Sequence, residues 1–374
     1  MKKSMQIQST VRDTGVLELS LVETDVPDPG PDQIVLRVDA TPINPSDLGL
    51  LLSAADMSAA SRGQGNGESI LTAPIAPERL ASLTARINKS LPVGNEGAGE
   101  VVAAGSSDAA QALLGKTVAV LGGAMYSQYR CVPARACLEL PEGVSARDGA
   151  SCFVNPLTAL GMVETMKLEN HRGLVHTAAA SNLGQMLVKL CLADGVPLVN
   201  IVRSDAQADL LKSLGATHVC NSAAPSFMDD LSAALAATNA TVAFDAIGGG
   251  QLPSQILTAM ERVASSNPSP ENRYGSTTHK QVYSYGMLDT SPTVLDRTYG
   301  MAWGVGGWLL TAFIARVGPE QAQALRIRVA REITSTFASR YTDEISLEEV
   351  LQVDIAHRYH RKATGEKFLI NPHK

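Results

Sequence analysis

Short apolar runs rich in strand-forming residues and bounded by proline or glycine characterise the first 150 residues. Runs of this kind, separated by turn residues, are typical of β-strands. They lie at residues 34–38, 99–104, 117–121 and 129–132. The pattern predicts a first domain that consists mostly of β-strands.

From about residue 153 the pattern changes, and apolar, strand-like runs alternate with runs of helical periodicity. Repeated strand–helix–strand units of this size indicate a parallel sheet with helices on both faces. The predicted strands lie at 173–178, 197–202, 218–221, 241–246 and 281–285, the last of which closes the series. The predicted helices lie at 185–194, 207–214 and 252–263, with a further one after residue 221.

The tail does not continue this alternation. Residues 320–339 and 347–362 are predicted to form two helices, and residues 367–370 a final strand. Such a tail can pack on the parallel sheet or return to the first domain. The hydrophobic pattern leaves both arrangements open.

One segment of the first domain stands apart, because residues 53–68 are rich in serine, alanine and glycine. This composition predicts a mobile loop. In the next segment, 76–90, Leu80, Leu83 and Ile87 recur at helical spacing after Pro77, which predicts a short amphipathic helix. The insertion is interpreted either as a surface element that covers part of the core or as a lid beside an active site.

Length and composition narrow the class of protein. A chain of 374 residues with 45% hydrophobic and 18% charged residues is typical of a globular protein with two domains. The net charge of −6 and the lack of any run of lysine and arginine argue against a nucleic-acid partner.

The sequence also bears on location. No apolar signal stretch follows the basic N-terminus, and the apolar segment 301–317 is too short to span a bilayer comfortably. The five cysteines show no paired spacing, which suits buried thiols in a reducing compartment. We therefore expect a cytoplasmic protein that is not inserted in a membrane.

The segment from Val175 to Gln185 carries the first candidate chemistry. It runs from a predicted strand into a predicted helix and contains the spacing Ala-x-x-Ser-x-x-Gly, from Ala178 to Gly184. Small residues there let the backbone approach a pyrophosphate, and the helix N-terminus offers N–H groups and a favourable dipole. The segment predicts a dinucleotide-binding turn, and the alternative is a plain tight turn.

The end of the following strand indicates which dinucleotide is bound. A site for NAD places an acidic residue there to bond the ribose 2′-hydroxyl. Here the strand is followed by Arg203 and Ser204. A guanidinium and a hydroxyl suit a 2′-phosphate, so NADP(H) is the predicted cofactor. The alternative for Arg203 is a solvated ion pair with Asp205.

Five short elements, taken in order, resemble the medium-chain dehydrogenase/reductase superfamily. The resemblance is to its zinc-independent quinone oxidoreductase and enoyl-thioester reductase branch. The elements are Ile43-Asn44-Pro45-Ser46-Asp47, Gly94-Asn95-Glu96-Gly97-Ala98-Gly99, Asn155-Pro156-Leu157-Thr158-Ala159, Leu211-Lys212-Ser213-Leu214-Gly215-Ala216 and Phe244-Asp245-Ala246-Ile247-Gly248-Gly249.

The resemblance implies a fold of class α/β, with a GroES-like β-rich domain and a Rossmann domain with a doubly wound parallel sheet. The GroES-like substrate domain would comprise 1–150 and 319–374, and the NADP-binding domain 151–318. Relatives of this type often form homodimers, so a homodimer is expected.

The resemblance also implies roles for individual residues. Asn44 and Thr158 correspond to residues near the nicotinamide. Ser181, Asn182 and Leu183 correspond to the segment whose backbone holds the pyrophosphate. Tyr285 and Gly286 correspond to residues along the dinucleotide.

Zinc is not expected. A catalytic zinc needs three protein ligands and a structural zinc four, drawn from cysteine, histidine and carboxylates. At the positions where the alcohol dehydrogenases of this superfamily carry ligands, this chain has Asn44 and Asn95, and residues 86–125 contain no cysteine. Glu96 alone does not hold a catalytic zinc.

These observations favour a reductase that transfers a hydride from NADPH to a small-molecule electron acceptor, namely a quinone or a similar conjugated carbonyl compound. Asn44 is the candidate catalytic residue, as a donor to the nicotinamide or to a developing oxyanion. The alternative for Asn44 is a turn residue before Pro45.

Two other functions stay open. The first is 2-enoyl-thioester reduction, but relatives with that activity use a tyrosine in the loop after the Asn-Pro-Ser-Asp element. In this chain the first aromatic residue is Tyr126. The second is a nucleotide-binding protein without turnover.

Overall fold

The computed structural model describes residues 2–65, 68–266 and 273–374. The chain divides into two compact units. Unit 1 comprises Met1–Val154 and Arg326–Lys374, and unit 2 comprises Asn155–Leu325.

The strands are given in chain order. They are β1 (Lys2–Val11), β2 (Val16–Val26), β3 (Gln33–Pro42), β4 (Ser61–Gly65), β5 (Glu68–Pro74), β6 (Ser90–Pro92), β7 (Glu96–Ala104), β8 (Thr117–Leu121), β9 (Tyr129–Pro133), β10 (Cys137–Glu139), β11 (Leu174–His176), β12 (Leu198–Val202), β13 (His218–Asn221), β14 (Val242–Asp245), β15 (Gly248–Gly250), β16 (Lys280–Ser284), β17 (Asp289–Thr293), β18 (Trp303–Gly307), β19 (Asp343–Ile345) and β20 (Phe368–Ile370).

The α-helices are given in the same way. They are α1 (Pro45–Leu51), α2 (Pro77–Leu80), α3 (Asp108–Gln111), α4 (Ala146–Gly149), α5 (Val154–Leu168), α6 (Asn182–Asp194), α7 (Asp205–Ser213), α8 (Phe227–Thr238), α9 (Leu252–Ala264), α10 (Leu310–Glu332), α11 (Leu347–Val350) and α12 (Val353–His360).

Unit 1 contains two sheets. The first has the order β4-β5-β2-β1-β6, and the second has the order β10-β8-β7-β3-β20-β19, with β9 also paired to β3. Strand β20 comes from the C-terminal segment and pairs antiparallel with β3, so that Ile370 lies opposite Thr41. The four strands predicted for the first 150 residues are confirmed as β3, β7, β8 and β9.

The prediction of a mobile loop at residues 53–68 is wrong for residues 61–65, which form strand β4. Strand β4 pairs with β5, and β5 pairs with β2 so that Leu71 lies opposite Leu19. Leu71 is fully buried in the core of unit 1, and this burial stabilises β5, the strand on which β4 pairs. Asn66 and Gly67, within the same segment, lie outside the described residues.

The helix predicted at 76–90 is shorter than expected. It begins at Pro77 as predicted, but the α-helix ends at Leu80 and continues only as a 3-10 helix, Ala81–Arg86. Leu80 and Leu83 pack against the core of unit 1. This packing agrees with the interpretation of the insertion as an element that covers core.

Unit 2 contains a six-stranded parallel sheet with the order β13-β12-β11-β14-β16-β18. The chain moves outward from β11 to β13 and then starts again beside β11 with β14. This reversal makes a switch point between β11 and β14, where the loops at the carboxyl ends of the strands diverge and leave a crevice for ligands. The predicted α/β class with a doubly wound parallel sheet is confirmed.

Two predictions for the later part of the chain are wrong. The series of strands does not close at residue 285, because β18 adds a further parallel strand beside β16. On this strand Gly304 lies so close to the side chain of Gln281 that a larger residue would have to displace it. The helix predicted at 320–339 corresponds to the part of α10 that follows an interruption at Gly318 (φ 80°), and it ends at Glu332 rather than at 339.

The helix predicted at 347–362 is also divided, into α11 and α12. The final strand predicted at 367–370 is confirmed as β20. No helix among the described residues combines the length and apolar character needed to cross a bilayer.

A buried ion pair joins α9 to the start of β16. The ammonium of Lys280, which is fully buried, lies 2.6 Å from Glu261 Oε2. Glu261 also accepts hydrogen bonds from the backbone and hydroxyl of Ser276 and from the hydroxyl of Ser265. The lone pairs of the carboxylate are therefore well used, which is the condition for a buried charge to be tolerated.

The five cysteines are free thiols, and Cys152, Cys191 and Cys220 are buried. Burial raises the pKa of Cys137, Cys191 and Cys220 to about 12 and also raises the pKa of Cys131 and Cys152. All five thiols are therefore protonated at neutral pH.

Candidate functional site

The predicted dinucleotide-binding turn of unit 2 lies at the carboxyl end of β11, next to the switch point of the sheet. Ser181 caps α6, because its hydroxyl oxygen accepts a hydrogen bond of 3.2 Å from the backbone N–H of Gly184. Asn182 and Leu183 are the first two residues of the helix. Backbone N–H groups of a first turn point out of the helix N-terminus and suit an anion such as a phosphate.

The turn needs a glycine at its third position. A Cβ atom on Gly184 would lie 2.6 Å from the carbonyl carbon of Ala179, well inside van der Waals distance. Ala178, at the first position, has φ 49°, a left-handed conformation that glycine adopts more easily. The close packing of the helix against the turn therefore requires a glycine at position 184. Ala178 has a backbone conformation that few alanines adopt.

A buried carboxylate fixes the turn to the neighbouring strand β14. The hydroxyl of Thr177 donates to Asp245 Oδ1 over 2.7 Å and accepts from the backbone N–H of Ala246 over 2.8 Å. Asp245 also accepts from the backbone N–H groups of Ile247 and Gly248 at 2.9 Å. The two loops that border the switch point are therefore joined by direct hydrogen bonds.

Arg203 follows β12 and is exposed. Its backbone N–H donates to Gln207, and the alternative ion pair with Asp205 does not form, since Asp205 instead accepts from Asn221 over 2.8 Å. In the described part of the chain the guanidinium has no acidic partner. Ser204 caps α7 by accepting from the N–H of Gln207.

Tyr285 and Gly286 follow β16 on the other side of β14. The Tyr285 hydroxyl lies 2.7 Å from Nε2 of His176, and the two rings stack at 5.8 Å. Burial lowers the pKa of His176 to about 3, so this imidazole is neutral, and burial raises the pKa of Tyr285. A Cβ atom on Gly286 would lie 2.7 Å from the carbonyl oxygen of Ala246, so the backbones approach closely here.

Thr158 lies within α5, the first helix of unit 2, and is buried. The predicted residues Ser181, Arg203 and Tyr285 lie after β11, β12 and β16, respectively. They share one edge of the sheet, because β12, β11, β14 and β16 are adjacent and parallel. Asn44 belongs to unit 1.

Asn44 lies in a buried polar cluster of unit 1. Its side-chain Nδ2 donates to Glu96 Oε1 over 2.7 Å, and its Oδ1 accepts from Lys367 Nζ over 3.3 Å. Only 2% of Asn44 is exposed, and Glu96 is fully buried. The other oxygen of Glu96 accepts from the backbone N–H groups of Phe153 and Val154, at 2.8 and 2.9 Å.

A second carboxylate supports the backbone around this cluster. Asp47 accepts from the N–H of Asn44 over 2.7 Å and from the N–H of Asn95 over 2.8 Å. Burial raises the pKa of Asp47 to about 7, against the opposing effect of these two hydrogen bonds. Burial also raises the pKa of Glu96.

Lys367 is the cluster member that the sequence did not single out as part of a site. It stands at the start of β20, where it is buried, and burial lowers the pKa of its ammonium to about 8 against the attraction of Glu96 and Asp47. Its distance of 323 positions from Asn44 leaves no local signal. Asp245 was also missed as a site residue, although it lies in the last of the five short elements that resemble the superfamily.

Among the described residues, no group of three or more histidine, cysteine, aspartate or glutamate side chains lies close enough together to hold a metal ion.

The chain resembles proteins of known family. A family model described as zinc-binding dehydrogenase matches residues 183–264. Prostaglandin reductase-3 of Mus musculus is 32% identical over 130 residues, which are 34% of this chain and 34% of that protein. The mitochondrial enoyl-[acyl-carrier-protein] reductase of Homo sapiens is 32% identical over 182 residues, 43% of this chain and 46% of that protein. The matched segments thus span less than half of these two relatives.

Among solved structures, a protein of Mesorhizobium loti provisionally described as an NADPH:quinone reductase superposes with a TM-score of 0.73 at 26% identity, over 100% of this chain and 99% of that one. Together with the doubly wound sheet and its turn, these matches are consistent with the medium-chain dehydrogenase/reductase superfamily, in its branch of quinone oxidoreductases and enoyl reductases.

Proposed function

We propose that the protein is an NADPH-dependent oxidoreductase that transfers a hydride to a quinone or a similar conjugated carbonyl compound without zinc. One observation carries the proposal. The turn from Thr177 to Gly184 lies at the switch point of the parallel sheet, and an exposed Arg203 without an acidic partner in the described chain follows the next strand.

The residues present fit the cofactor. At Gly184 and Gly286 a Cβ atom would clash with neighbouring backbone, so only glycine fits at these two positions. Arg203 and Ser204 offer a cation and a hydroxyl at the position that a 2′-phosphate takes in folds of this type. The bound nicotinamide supplies the hydride, and the protein binds and orients it.

The chemistry of the acceptor makes a metal unnecessary. When a hydride adds to a conjugated carbonyl compound, the negative charge spreads to a distant oxygen, and a hydrogen-bond donor suffices to stabilise it. Asn44 is the proposed donor, through its side-chain amide. The amide is held between Glu96 and Lys367, so its direction is fixed before any ligand binds.

The experiment for this proposal has two stages. Titration with NADPH, followed by nicotinamide fluorescence, measures binding. The loss of nicotinamide absorbance is then followed with quinones, enones and enoyl thioesters as separate substrate classes. Oxidation with quinones or enones supports the proposal, and binding without oxidation across all three classes refutes it in favour of a nucleotide-binding protein.

Replacing Arg203 with alanine should weaken NADPH binding by about 10- to 100-fold, which corresponds to the loss of charge-assisted hydrogen bonds to a phosphate. NADH has no 2′-phosphate, so its dissociation constant should stay unchanged. Fluorescence titration with both cofactors measures the effect. Lys212→Ala, an exposed cation on α7, is the matched control. Equal losses for NADPH and NADH would contradict this role of Arg203.

Reduction of 2-enoyl thioesters is the second candidate, because the human relative matched over 182 residues carries that name. Residues 48–125 contain no tyrosine. The Tyr126 hydroxyl donates to the carbonyl oxygen of Pro42 within the core, and Tyr285 is paired with His176. These phenols are already engaged, which favours an acceptor that needs little acid assistance.

We also propose that the protein is a homodimer. Strand β18 is the last strand of the sheet in the described chain, and edge strands offer N–H and C=O groups for pairing with a second copy. Apolar side chains are exposed on and beside it, at Met301 (75%), Val305 (38%) and Leu309 (64%). Light scattering should give twice the chain mass of 39.4 kDa, and Val305→Lys should shift it toward the monomer. A monomeric wild-type protein would refute the proposal.

A further inference from the structure

The amide of Asn44 lies between two buried groups of opposite charge. Its nitrogen donates to the carboxylate of Glu96 at 2.7 Å, and its oxygen accepts from the ammonium of Lys367 at 3.3 Å. The three side chains come from distant parts of the chain, before α1, at the start of β7 and at the start of β20.

This arrangement allows only one orientation of the amide. If the amide turned over, its NH₂ group would face the ammonium and its oxygen would face the carboxylate, and both hydrogen bonds would be replaced by repulsion. The carboxylate of Glu96 is held by two backbone N–H groups. The backbone beside Lys367 is held as well, because the carbonyl oxygen of Phe368 accepts from the N–H of Ile43 at 3.0 Å.

In this orientation, one N–H of the Asn44 amide is available to a ligand. The Asn44 NH₂ group has two hydrogens, of which Glu96 accepts one, and no acceptor for the second lies among the described residues. A donor with a fixed direction in a buried site is what stabilises negative charge on a carbonyl oxygen most effectively.

We propose that Lys367 is a positioning residue, which together with Glu96 fixes the Asn44 amide so that its second N–H is directed to a carbonyl oxygen. This inference rests on the proposed function for the identity of that oxygen, which belongs either to the reducible substrate or to the carboxamide of the nicotinamide.

Several groups surround the Lys367 ammonium. They are the carboxylates of Glu96 on β7 and Asp47 on α1, and the ring of Tyr341, whose centroid is 5.6 Å away. Arg147 also lies over the Tyr341 ring, at 5.4 Å. Because burial lowers the pKa of Lys367 to about 8, the ammonium is charged below that pH and loses its charge as the pH rises through it. Burial raises the pKa of Asp47 to about 7, so this carboxylate also titrates near neutral pH.

The test compares Lys367→Met, which removes the cation at similar length, with Lys367→Arg, which keeps a permanent cation. Lys362→Met, an exposed position on the same C-terminal segment, is the matched control. Circular dichroism and urea unfolding show whether each variant is folded. Should Lys367→Met fail to fold, Lys367→Arg and the pH titration of the wild type decide the question.

The first readout needs neither cofactor nor turnover. In apoprotein labelled with 15N-asparagine, the side-chain signal of Asn44, assigned by its loss in Asn44→Ala, should shift with pH and include a step near 8. That step should vanish in Lys367→Met and Lys367→Arg and persist in Lys362→Met. An Asn44 signal that does not respond to pH in the wild type overturns the proposal.

The second readout is kinetic. Lys367→Met should lower kcat/KM by about tenfold or more, as expected for a donor that is no longer held in place. In the wild type kcat/KM should fall above pH 8, and in Lys367→Arg this fall should be absent. A change in the Kd of NADPH identifies the carboxamide as the acceptor, and a change in kcat/KM alone identifies the substrate. Unchanged kcat/KM in Lys367→Met overturns the inference, whereas an inactive wild type refutes only the proposed function.

Discussion

Replacing Gly184 with alanine is expected to abolish detectable NADPH binding and to lower the free energy of unfolding by about 1–3 kcal/mol. The added Cβ atom would meet the backbone of Ala179, which cannot move aside as a flexible side chain could. The helix N-terminus would have to shift away from the turn, and its N–H groups would no longer converge on a phosphate. Fluorescence titration and urea unfolding measure the two effects.

The opposite end of the same helix provides the control. Gly195 follows α6 with φ 66°, and no atom lies within 4 Å of the place that its Cβ would occupy. Gly195→Ala should therefore cost about 1 kcal/mol of stability through its left-handed backbone, with an unchanged Kd for NADPH. If Gly184→Ala binds NADPH as tightly as Gly195→Ala does, the turn is not the pyrophosphate site.

Breaking the buried ion pair of unit 2 should produce the largest loss of stability. Lys280→Met leaves the carboxylate of Glu261 without its cation, and such a change costs about 3–5 kcal/mol. Urea unfolding measures the loss. Arg262→Ala removes an exposed pair with Asp229 from the same helix and should change stability by less than about 1 kcal/mol. Similar losses in the two variants would show that the buried Lys280 pair contributes no more to the free energy of unfolding than the exposed pair does.

The same pair predicts a dependence on pH. Burial by itself would raise the pKa of Glu261, but hydrogen bonds from Lys280, Ser265 and Ser276 together lower it to about 2. A carboxylate whose pKa is depressed in the folded state stabilises the protein above its unfolded pKa of about 4.3. This contribution is lost as the pH falls from there toward 2, and the loss should be smaller in Lys280→Met.

The sequence predicted those parts of the fold that depend on local pattern. Strand β8 has the predicted bounds 117–121, and the strands and helices around the turn of unit 2 alternate as expected. These elements have a clear periodicity, and glycine or proline marks their ends. Arg203 directly follows the second strand of the parallel sheet, as predicted, and its role in cofactor binding stays a prediction.

The predictions failed where tertiary packing, rather than local sequence, determines the secondary structure or brings distant residues together. Serine and glycine between 53 and 68 suggested a loop, but pairing of β4 with β5 makes a strand of residues 61–65. Strand β18 was not predicted; glycine is depleted in strands, but a close neighbour favours a small residue at Gly304. Lys367 was missed because its partners Asn44 and Glu96 become neighbours only when β20 joins the sheet of unit 1.

The protonated state of the five thiols has a chemical consequence. Quinones and enones are electrophiles to which a cysteine sulfur can add with formation of a new carbon–sulfur bond, and the attacking species is the thiolate rather than the thiol. Because burial raises the pKa of all five cysteines, the chain offers such compounds almost no thiolate at neutral pH. Under the proposed function, the protonated thiols would protect the protein from covalent inactivation by its own substrates.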